Sequence, residues 1–132
     1  MAILAANKSN ISFKKIINVI FKLKPVEGRL EKIGKIKNKS KVILDYAHTP
    51  AALESALSNL KEQFPSNKIN LVFGCGGNRD FKKRPIMGKI ADKYSYKIYL
   101  TDDNPRNETP SNIRKEIKKG IKVNKVIEIP SR

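Results

Sequence analysis

From Lys41 onward the sequence alternates short apolar runs with segments of helical spacing, and this alternation constrains the fold more than any other feature. The apolar runs are residues 42–44, 69–73, 97–100 and 126–129. The helical segments between them are residues 50–63, 85–93 and 110–120. Such runs are typical of strands buried on both faces, and strands that alternate with helices pair in parallel through right-handed crossovers. The pattern predicts an α/β fold, a three-layer sandwich around a mostly parallel sheet.

Two further elements are predicted before this alternation begins. Residues 11–23 place Ile16 and Ile20 on one face, which predicts an amphipathic helix that ends before Pro25. Residues 30–36 alternate weakly between polar and apolar side chains, which predicts a strand. Neither element belongs to the repeating strand–helix pattern.

The chain carries 28 basic and 12 acidic residues, which gives a formal net charge of +16. A basic surface attracts the nucleic-acid backbone, so a non-catalytic nucleic-acid-binding module is one interpretation. The lysines, however, run through the whole chain, and the few aromatic residues (7%) do not interleave with them as a base-stacking platform requires. We therefore favour a solvated, lysine-rich exterior and expect no nucleic-acid partner.

The sequence also limits the compartment and the kinds of site. No apolar stretch has the length of a membrane-spanning helix, and residues 1–10 lack the layout of a secretory signal. Cys75 is the single cysteine, which excludes an intramolecular disulfide and a multi-cysteine metal site. These features predict a soluble, cytoplasmic chain with no metal site and no membrane partner.

Three polar loops follow the carboxyl ends of the first three apolar runs. They are DYAHTP (45–50), GCGGNRDFKKR (74–84) and TDDNPRNE (101–108). Open α/β sheets bind their ligands at the edge where the carboxyl ends of the strands meet. The sequence therefore predicts that these loops converge on one edge of the sheet and form a binding site there.

The third loop concentrates charge around one rigid proline. It contains Asp102, Asp103, Asn104, Pro105 and Arg106. A carboxylate and an amide oxygen can hold an ammonium group, whereas a guanidinium binds a carboxylate in bidentate fashion. Together these groups suit a zwitterionic amino acid. The alternative is an Asx-turn that opens the next helix, which Asn and Pro also favour.

The glycine-rich loop is not a nucleotide P-loop. It lacks both the GxGxxG spacing and the GxxxxGK[ST] pattern. Gly76 and Gly77 are predicted to form a tight turn with backbone angles that other residues avoid, while Arg79 serves a ligand. Cys75 fits the pattern of a buried structural cysteine.

His48 lies beside Asp45 in a strand-to-helix turn and has three interpretations. The two side chains could form a general acid–base pair, although no nucleophile elbow accompanies them. Alternatively, His48 and the turn amides face a phosphate at the helix N-terminus. The third interpretation is plain capping, with Thr49 as the cap and Pro50 at the first helical position.

Four motifs carry a resemblance to a known family. VEGRLE (26–31), DYAHTPAALE (45–54), VFGCGGNRDFKKRPIMG (72–88) and TDDNPRNETP (101–110) resemble, in order and spacing, the C-terminal domain of the Mur ligase family. The branch they resemble adds diaminopimelate in peptidoglycan synthesis. The resemblance implies a Rossmann-like C-terminal domain over residues 26–132, truncated at its C-terminal end. Residues 1–25 would be a helical remnant of the central ATPase domain with its linker.

The resemblance also implies an activity. Members of this branch are ATP-dependent amide ligases that add meso-diaminopimelate to UDP-MurNAc-L-Ala-D-Glu through an acyl phosphate. ATP and Mg²⁺ would serve the full-length enzyme, and the UDP-MurNAc-dipeptide and ATP would bind through domains missing here. We expect this chain alone to bind no cofactor, to be inactive, and to carry the diaminopimelate-binding part only.

Site residues follow from the matching positions, with no catalytic residue assigned. The diaminopimelate pocket would comprise Arg79, Asp103, Asn104, Pro105 and Arg106. The positions that contact ATP would be Arg29, Asp45 and His48. Arg106 would hold the distal carboxylate of diaminopimelate, so a related ligase that adds a different amino acid remains the alternative within the family. Asn78 departs from the family pattern, which usually has Asp there.

Overall fold

The computed structural model describes residues 2–23, 26–36 and 40–130. The chain divides into two compact units, Met1–Asp45 and Tyr46–Arg132, and each is described here by itself. Pro25, which was predicted to end the first helix, lies outside the described residues.

The first unit contains two helices and a hairpin. Its elements are α1 (Ala2–Lys8), α2 (Phe13–Ile20), β1 (Glu31–Lys35) and β2 (Lys41–Leu44). The predicted amphipathic helix is present but shorter than residues 11–23, and α1 was not predicted. Ile16 is buried on α2, whereas Phe21, just beyond the helix, is 91% exposed.

Residues 42–44 form a strand as predicted, but the prediction that this strand is buried on both faces and pairs in parallel was wrong. β2 pairs antiparallel with β1, with Glu31 opposite Leu44, and its residues are half-buried or exposed. The physical reason is proximity, because β1 immediately precedes β2 and a short connection favours a hairpin over a parallel crossover. The predicted strand at residues 30–36 is confirmed as β1.

The second unit has the predicted strand–helix alternation. Its elements are α3 (Pro50–Gln63), β3 (Asn70–Phe73), α4 (Lys83–Tyr94), β4 (Lys97–Thr101), α5 (Pro110–Lys118), a 3₁₀ turn (Val123–Lys125) and β5 (Val126–Ile129). The three strands are all parallel and lie in the order β3-β4-β5. The predicted α/β class with a parallel sheet is thereby confirmed.

Helix α3 begins as its sequence predicts. The Thr49 side chain accepts a hydrogen bond from the Ala52 N–H at 3.3 Å, and Pro50 occupies the first helical position. Helix α4 begins at Lys83, two residues before the predicted start at Pro85. The earlier start places the Arg84 side chain in the first turn, where it is buried.

One face of the parallel sheet packs against all three helices of this unit. Ile98 and Leu100 of β4 are fully buried there among side chains of α3, α4 and α5. On the opposite face, Val72, Ile127 and Ile129 are 67%, 42% and 46% exposed. The apolar burial that stabilises the unit therefore lies between the sheet and the helices.

We expect Ile98→Ala to lower the free energy of unfolding by about 2–5 kcal/mol, because it leaves a cavity between β4 and the helices. The matched control is Ile127→Ala on the exposed face, for which we expect a loss below about 1 kcal/mol. Urea unfolding followed by far-ultraviolet circular dichroism measures both. Equal losses would show that the core does not lie on the helix side.

Candidate functional site

The predicted site lies where two neighbouring strands end. β3 and β4 run parallel with Phe73 opposite Leu100, so the loops that follow them leave the same edge of the sheet. We call residues 74–82 the glycine loop and residues 102–109 the acidic loop. The structure confirms that these two predicted loops converge.

The backbones of the two loops touch at Gly77. Its N–H donates a hydrogen bond to the Asn104 carbonyl at 2.8 Å, and a Cβ added at Gly77 would overlap the Pro105 carbonyl oxygen. The predicted reason for these glycines was wrong, because neither Gly76 nor Gly77 has a positive φ. Gly77 is required because the two backbones approach closely there. Within the glycine loop, the residue with a left-handed backbone is Asn78, whose φ is +50°.

Arg106 is held against the glycine loop. Its Nη1 donates to the Gly77 carbonyl at 2.6 Å. Its backbone N–H donates to Asn104 Oδ1 at 3.2 Å, and its φ is +49°. An Asx-turn is therefore present, but it does not open the next helix as predicted, since α5 begins only at Pro110. The turn and the binding site are therefore compatible interpretations, since the turn itself directs the guanidinium toward the glycine loop.

Opposite charges flank Gly76. An ideal Cβ at this glycine would lie 3.0 Å from Arg106 Nη1 and 3.9 Å from Asp103 Oδ2. Both charged groups thus approach the position that a Cβ on Gly76 would occupy. The lack of a side chain at Gly76 allows this approach. A guanidinium and a carboxylate placed in this way can bind the carboxylate and the ammonium group of one amino acid.

The five residues predicted for the amino-acid pocket all lie in these two loops. Asp103, Asn104 and Arg106 are exposed and Pro105 is half-buried in the acidic loop. Arg79 is exposed in the glycine loop, one residue after the left-handed Asn78. The structure brings the acidic-loop residues against Gly76 and Gly77, and it places Arg79 in the loop that they contact.

A buried ion pair beneath the loops was not predicted. Arg84 is only 2% exposed, and its two terminal nitrogens each lie 2.8 Å from a different carboxylate oxygen of Glu108. A second carboxylate, Glu116 Oε2, lies 3.1 Å from Arg84 Nη1. The hydrogen bonds that Arg84 donates to Glu108 are the main cause that raises the pKa of Arg84. The same contact, followed by the Asn78 amide, lowers the pKa of Glu108 to about 2.

A second ion-pair network supports the acidic loop from β5. Arg114 Nη1 donates to Asp102, and Arg114 Nε donates to Glu128 Oε2 at 2.9 Å. Lys118 Nζ also contacts Glu128, at 2.5 Å. Hydrogen bonds from Lys118 and then Arg114 lower the pKa of Glu128. The network anchors Asp102, the residue before the exposed Asp103.

The residues predicted to contact ATP are divided between the two units. In the first unit, Asp45 Oδ2 accepts a hydrogen bond from the Leu30 N–H at 2.9 Å, which brings the Arg29 turn beside the end of β2. In the second unit, His48 Nδ1 lies 3.2 Å from the Tyr46 carbonyl, and the His48 carbonyl accepts from Lys83 Nζ at 2.8 Å. Their ATP contacts stay a prediction.

The part of the chain that the structure describes contains neither a cluster of metal-binding side chains nor a membrane-spanning helix. Over residues 2–23, 26–36 and 40–130, no group of three or more His, Cys, Asp or Glu side chains could hold a metal ion. None of the helices in these ranges combines the length and apolar character of a membrane span.

Sequence reasoning missed Arg84 and Glu108, although both stand inside the quoted motifs. The available signal was position, because Arg84 directly precedes the helix-starting Pro85 and Glu108 precedes Thr109-Pro110. Nothing in the spacing indicates that these side chains meet, since they lie 24 positions apart in the sequence.

Cys75 is buried as predicted, and burial is the main cause that raises the pKa of its thiol.

Two charged loops thus pack together at the carboxyl edge of a parallel sheet, which is the edge where open α/β sheets bind their ligands. The family described as "Mur ligase, glutamate ligase domain" matches residues 28–132, and the chain belongs to this family.

Named relatives agree with this assignment. A UDP-N-acetylmuramoyl-L-alanyl-D-glutamate–2,6-diaminopimelate ligase from Wigglesworthia glossinidia brevipalpis is 52% identical over 122 residues, 92% of this chain and 24% of that protein. The ligase of the same name from Rickettsia bellii is 46% identical over 125 residues, 94% of this chain and 26% of that protein. The chain spans about a quarter of the length of these curated relatives.

A solved structure of a UDP-N-acetylmuramoyl-L-alanyl-D-glutamate–2,6-diaminopimelate ligase is also similar. It superposes with a TM-score of 0.71 at 37% identity and covers 99% of this chain and 27% of that chain. The fold of this chain is therefore that of a segment of a larger ligase.

We expect Gly77→Ala to lower the free energy of unfolding by about 1–3 kcal/mol, because the added methyl overlaps the Pro105 carbonyl and forces the loops apart. The matched control is Gly34→Ala in β1, where nothing lies within 4 Å of an added Cβ. Urea unfolding compares the two variants. A Gly77 variant as stable as the Gly34 variant would contradict the backbone contact.

The lowered pKa of Glu108 predicts an acid-sensitive unit. A carboxyl group with a folded pKa near 2 and an unfolded value of 4.5 stabilises the fold above pH 4.5 and loses this contribution as the pH falls toward 2. We expect Glu108→Gln to reduce the fall in urea midpoint between pH 6 and pH 3. Glu62→Gln, on the surface of α3, is the control and should keep the wild-type slope.

Proposed function

We propose that this chain is the diaminopimelate-binding part of an ATP-dependent amide ligase that adds meso-diaminopimelate to UDP-MurNAc-L-Ala-D-Glu in peptidoglycan synthesis. The observation that carries the proposal is the pair of opposite charges, Arg106 and Asp103, that flank Gly76. The names of relatives 44–52% identical to the chain support the choice of amino acid.

Diaminopimelate carries two amino-acid ends, and the acidic loop offers groups for one of them. In the proposal, Arg106 binds the distal carboxylate through its guanidinium, while Asp103 and Asn104 accept hydrogen bonds from the distal ammonium group. Pro105 holds the loop rigid between them, and Arg79 adds a second positive charge from the glycine loop. The other amine is then left free to react.

The proposed reaction joins that free amine to the γ-carboxyl group of the D-glutamate residue. The carboxyl group is first activated as an acyl phosphate at the expense of ATP, by parts of the enzyme outside this chain. The amine nitrogen forms the new bond to the carbonyl carbon, phosphate leaves, and the amine loses a proton. The role of this chain is to bind and orient the amine, a contribution of position rather than of acid–base chemistry.

ATP and Mg²⁺ belong to the proposal in different ways. Arg29, Asp45 and His48 are the proposed ATP contacts of this chain, with Asp45 at the ribose hydroxyls and His48 nearer the phosphates. The described residues contain no cluster of three or more acidic, His or Cys side chains that could hold Mg²⁺ on their own, and Mg²⁺ is commonly bound through one or two carboxylates together with substrate phosphates. We therefore assign no metal-dependent step to them.

The proposal includes a compartment and a set of partners. We place the reaction in the cytoplasm, where ATP and a nucleotide-linked substrate meet. The ligands are diaminopimelate, bound by this chain, and the UDP-MurNAc-dipeptide with ATP, bound through other domains. We propose neither a nucleic-acid nor a membrane partner, and the charge of +16 then belongs to a solvated surface.

Calorimetric titration of the chain with meso-diaminopimelate tests the proposal. We expect saturable binding that Arg106→Ala weakens by about tenfold or more, because a charge-assisted hydrogen bond is lost. Lys115→Ala removes one positive charge from the exposed surface of α5 and is the matched control. L-lysine, which lacks the distal carboxylate, should bind at least tenfold more weakly than diaminopimelate.

Other outcomes would point elsewhere. Equal binding of lysine and diaminopimelate would favour a related ligase that adds a different amino acid. No amino-acid binding, together with DNA affinity that falls steeply with salt, would favour the nucleic-acid module. Formation of tripeptide product by the chain alone from ATP, UDP-MurNAc-dipeptide and diaminopimelate would contradict a purely binding role.

A further inference from the structure

We propose that Glu108, together with Arg84, is a positioning residue for the amino-acid site, which fixes the glycine loop and the acidic loop relative to each other. This inference rests on the proposed function, because it concerns how the same site is kept in shape for its ligand. Neither residue is among the five predicted ligands, and neither has to touch the ligand to act.

The Glu108 carboxylate connects both loops to helix α4. Oε1 accepts from the Asn78 N–H at 2.5 Å and from Arg84 Nη2 at 2.8 Å, and Oε2 accepts from Arg84 Nη1 at 2.8 Å. Glu108 belongs to the acidic loop, Asn78 to the glycine loop and Arg84 to the first turn of α4. One side chain of the acidic loop therefore contacts both the glycine loop and the first turn of the helix that follows it.

Arg84 makes the connection rigid. Its side chain is 2% exposed, and Nη2 also donates to the Gly76 carbonyl at 3.3 Å. A buried guanidinium must keep its acceptors, since an unpaired buried charge is strongly destabilising. The Gly76 carbonyl and the Glu108 carboxylate therefore share one cation, and Gly76 is the same residue that Arg106 and Asp103 approach.

The held segments are those that carry the predicted ligands. Asn78 immediately precedes Arg79, and its left-handed backbone is fixed by the bond from its amide to Glu108. Glu108 lies two residues after Arg106, and its own N–H donates to the Pro105 carbonyl at 2.9 Å. A displacement of Glu108 would thus move the segments of both arginines, and misplacement of binding groups by about 1 Å is enough to weaken recognition strongly.

The test separates positioning from general stability. Glu108→Gln removes the charge and one hydrogen-bond acceptor, yet Arg84 retains Glu116 as an anionic partner, so the fold is expected to survive. Asp92→Asn is the matched control, because it breaks a half-buried ion pair with Lys125 near the C-terminal end of α4, whereas the glycine loop precedes the first turn of that helix. Urea midpoints place the two variants on one stability scale.

Two readouts are then compared between the variants. Hydrogen exchange by NMR, without any ligand, should show faster exchange of the Asn78 amide in Glu108→Gln and unchanged exchange in Asp92→Asn. Titration with meso-diaminopimelate should show affinity about tenfold lower for Glu108→Gln and within about twofold of wild type for Asp92→Asn. If Glu108→Gln does not fold, Glu108→Asp replaces it, since the shorter side chain keeps the charge beside Arg84 but cannot also reach Asn78.

The outcomes are distinguishable from failure of the proposed function. Unchanged diaminopimelate affinity in Glu108→Gln, or equal losses in both variants at equal stability, would overturn the positioning role. If the wild-type chain binds no diaminopimelate, the proposed function fails. Faster exchange of Asn78 in Glu108→Gln alone would then still support Glu108 as the group that joins the two loops.

Discussion

The two terminal nitrogens of the almost fully buried Arg84 guanidinium are paired with acceptors, and these contacts organise the edge of the sheet. Arg84 binds two carboxylates and a backbone carbonyl, and each comes from a different segment of the second unit. Buried ion pairs add little net stability compared with apolar packing, but the charged groups in them must keep a defined hydrogen-bonding geometry. The energy of the unit comes from the apolar contacts between sheet and helices, whereas the arrangement of its loops depends on Arg84.

The sheet and the buried charge act together on the exposed site. Parallel strands β3 and β4 bring two loops to one edge, and Gly77 allows their backbones to touch. Asp103 and Arg106 then both approach the position that a Cβ on Gly76 would occupy. Under the proposed function these two charged groups bind one amino acid, while Arg84 and Glu108 support the loops.

The sequence predicted most of the second unit, because its strand and helix signals are local. The Thr49-Pro50 start of α3 and the apolar run of β4 carry their information within a few residues, and the Asn104 turn depends only on Arg106 two positions later. The failures involve contacts between distant segments. The β1–β2 hairpin depends on what lies next to residues 42–44, and the pairing of Arg84 with Glu108 depends on the folded loops. Gly77 was correctly singled out, but its reason is a neighbouring carbonyl that no local pattern reveals.

The backbone of Arg106 has a consequence for any redesign of specificity. With φ at +49°, this position strongly disfavours β-branched side chains, which cost about 1–3 kcal/mol in that conformation, while Asn and Gly adopt it readily. An altered ligand preference at position 106 is therefore accessible mainly through small or polar replacements. The conformation of one residue thus limits which side chains evolution or engineering can place at the centre of the proposed amino-acid site.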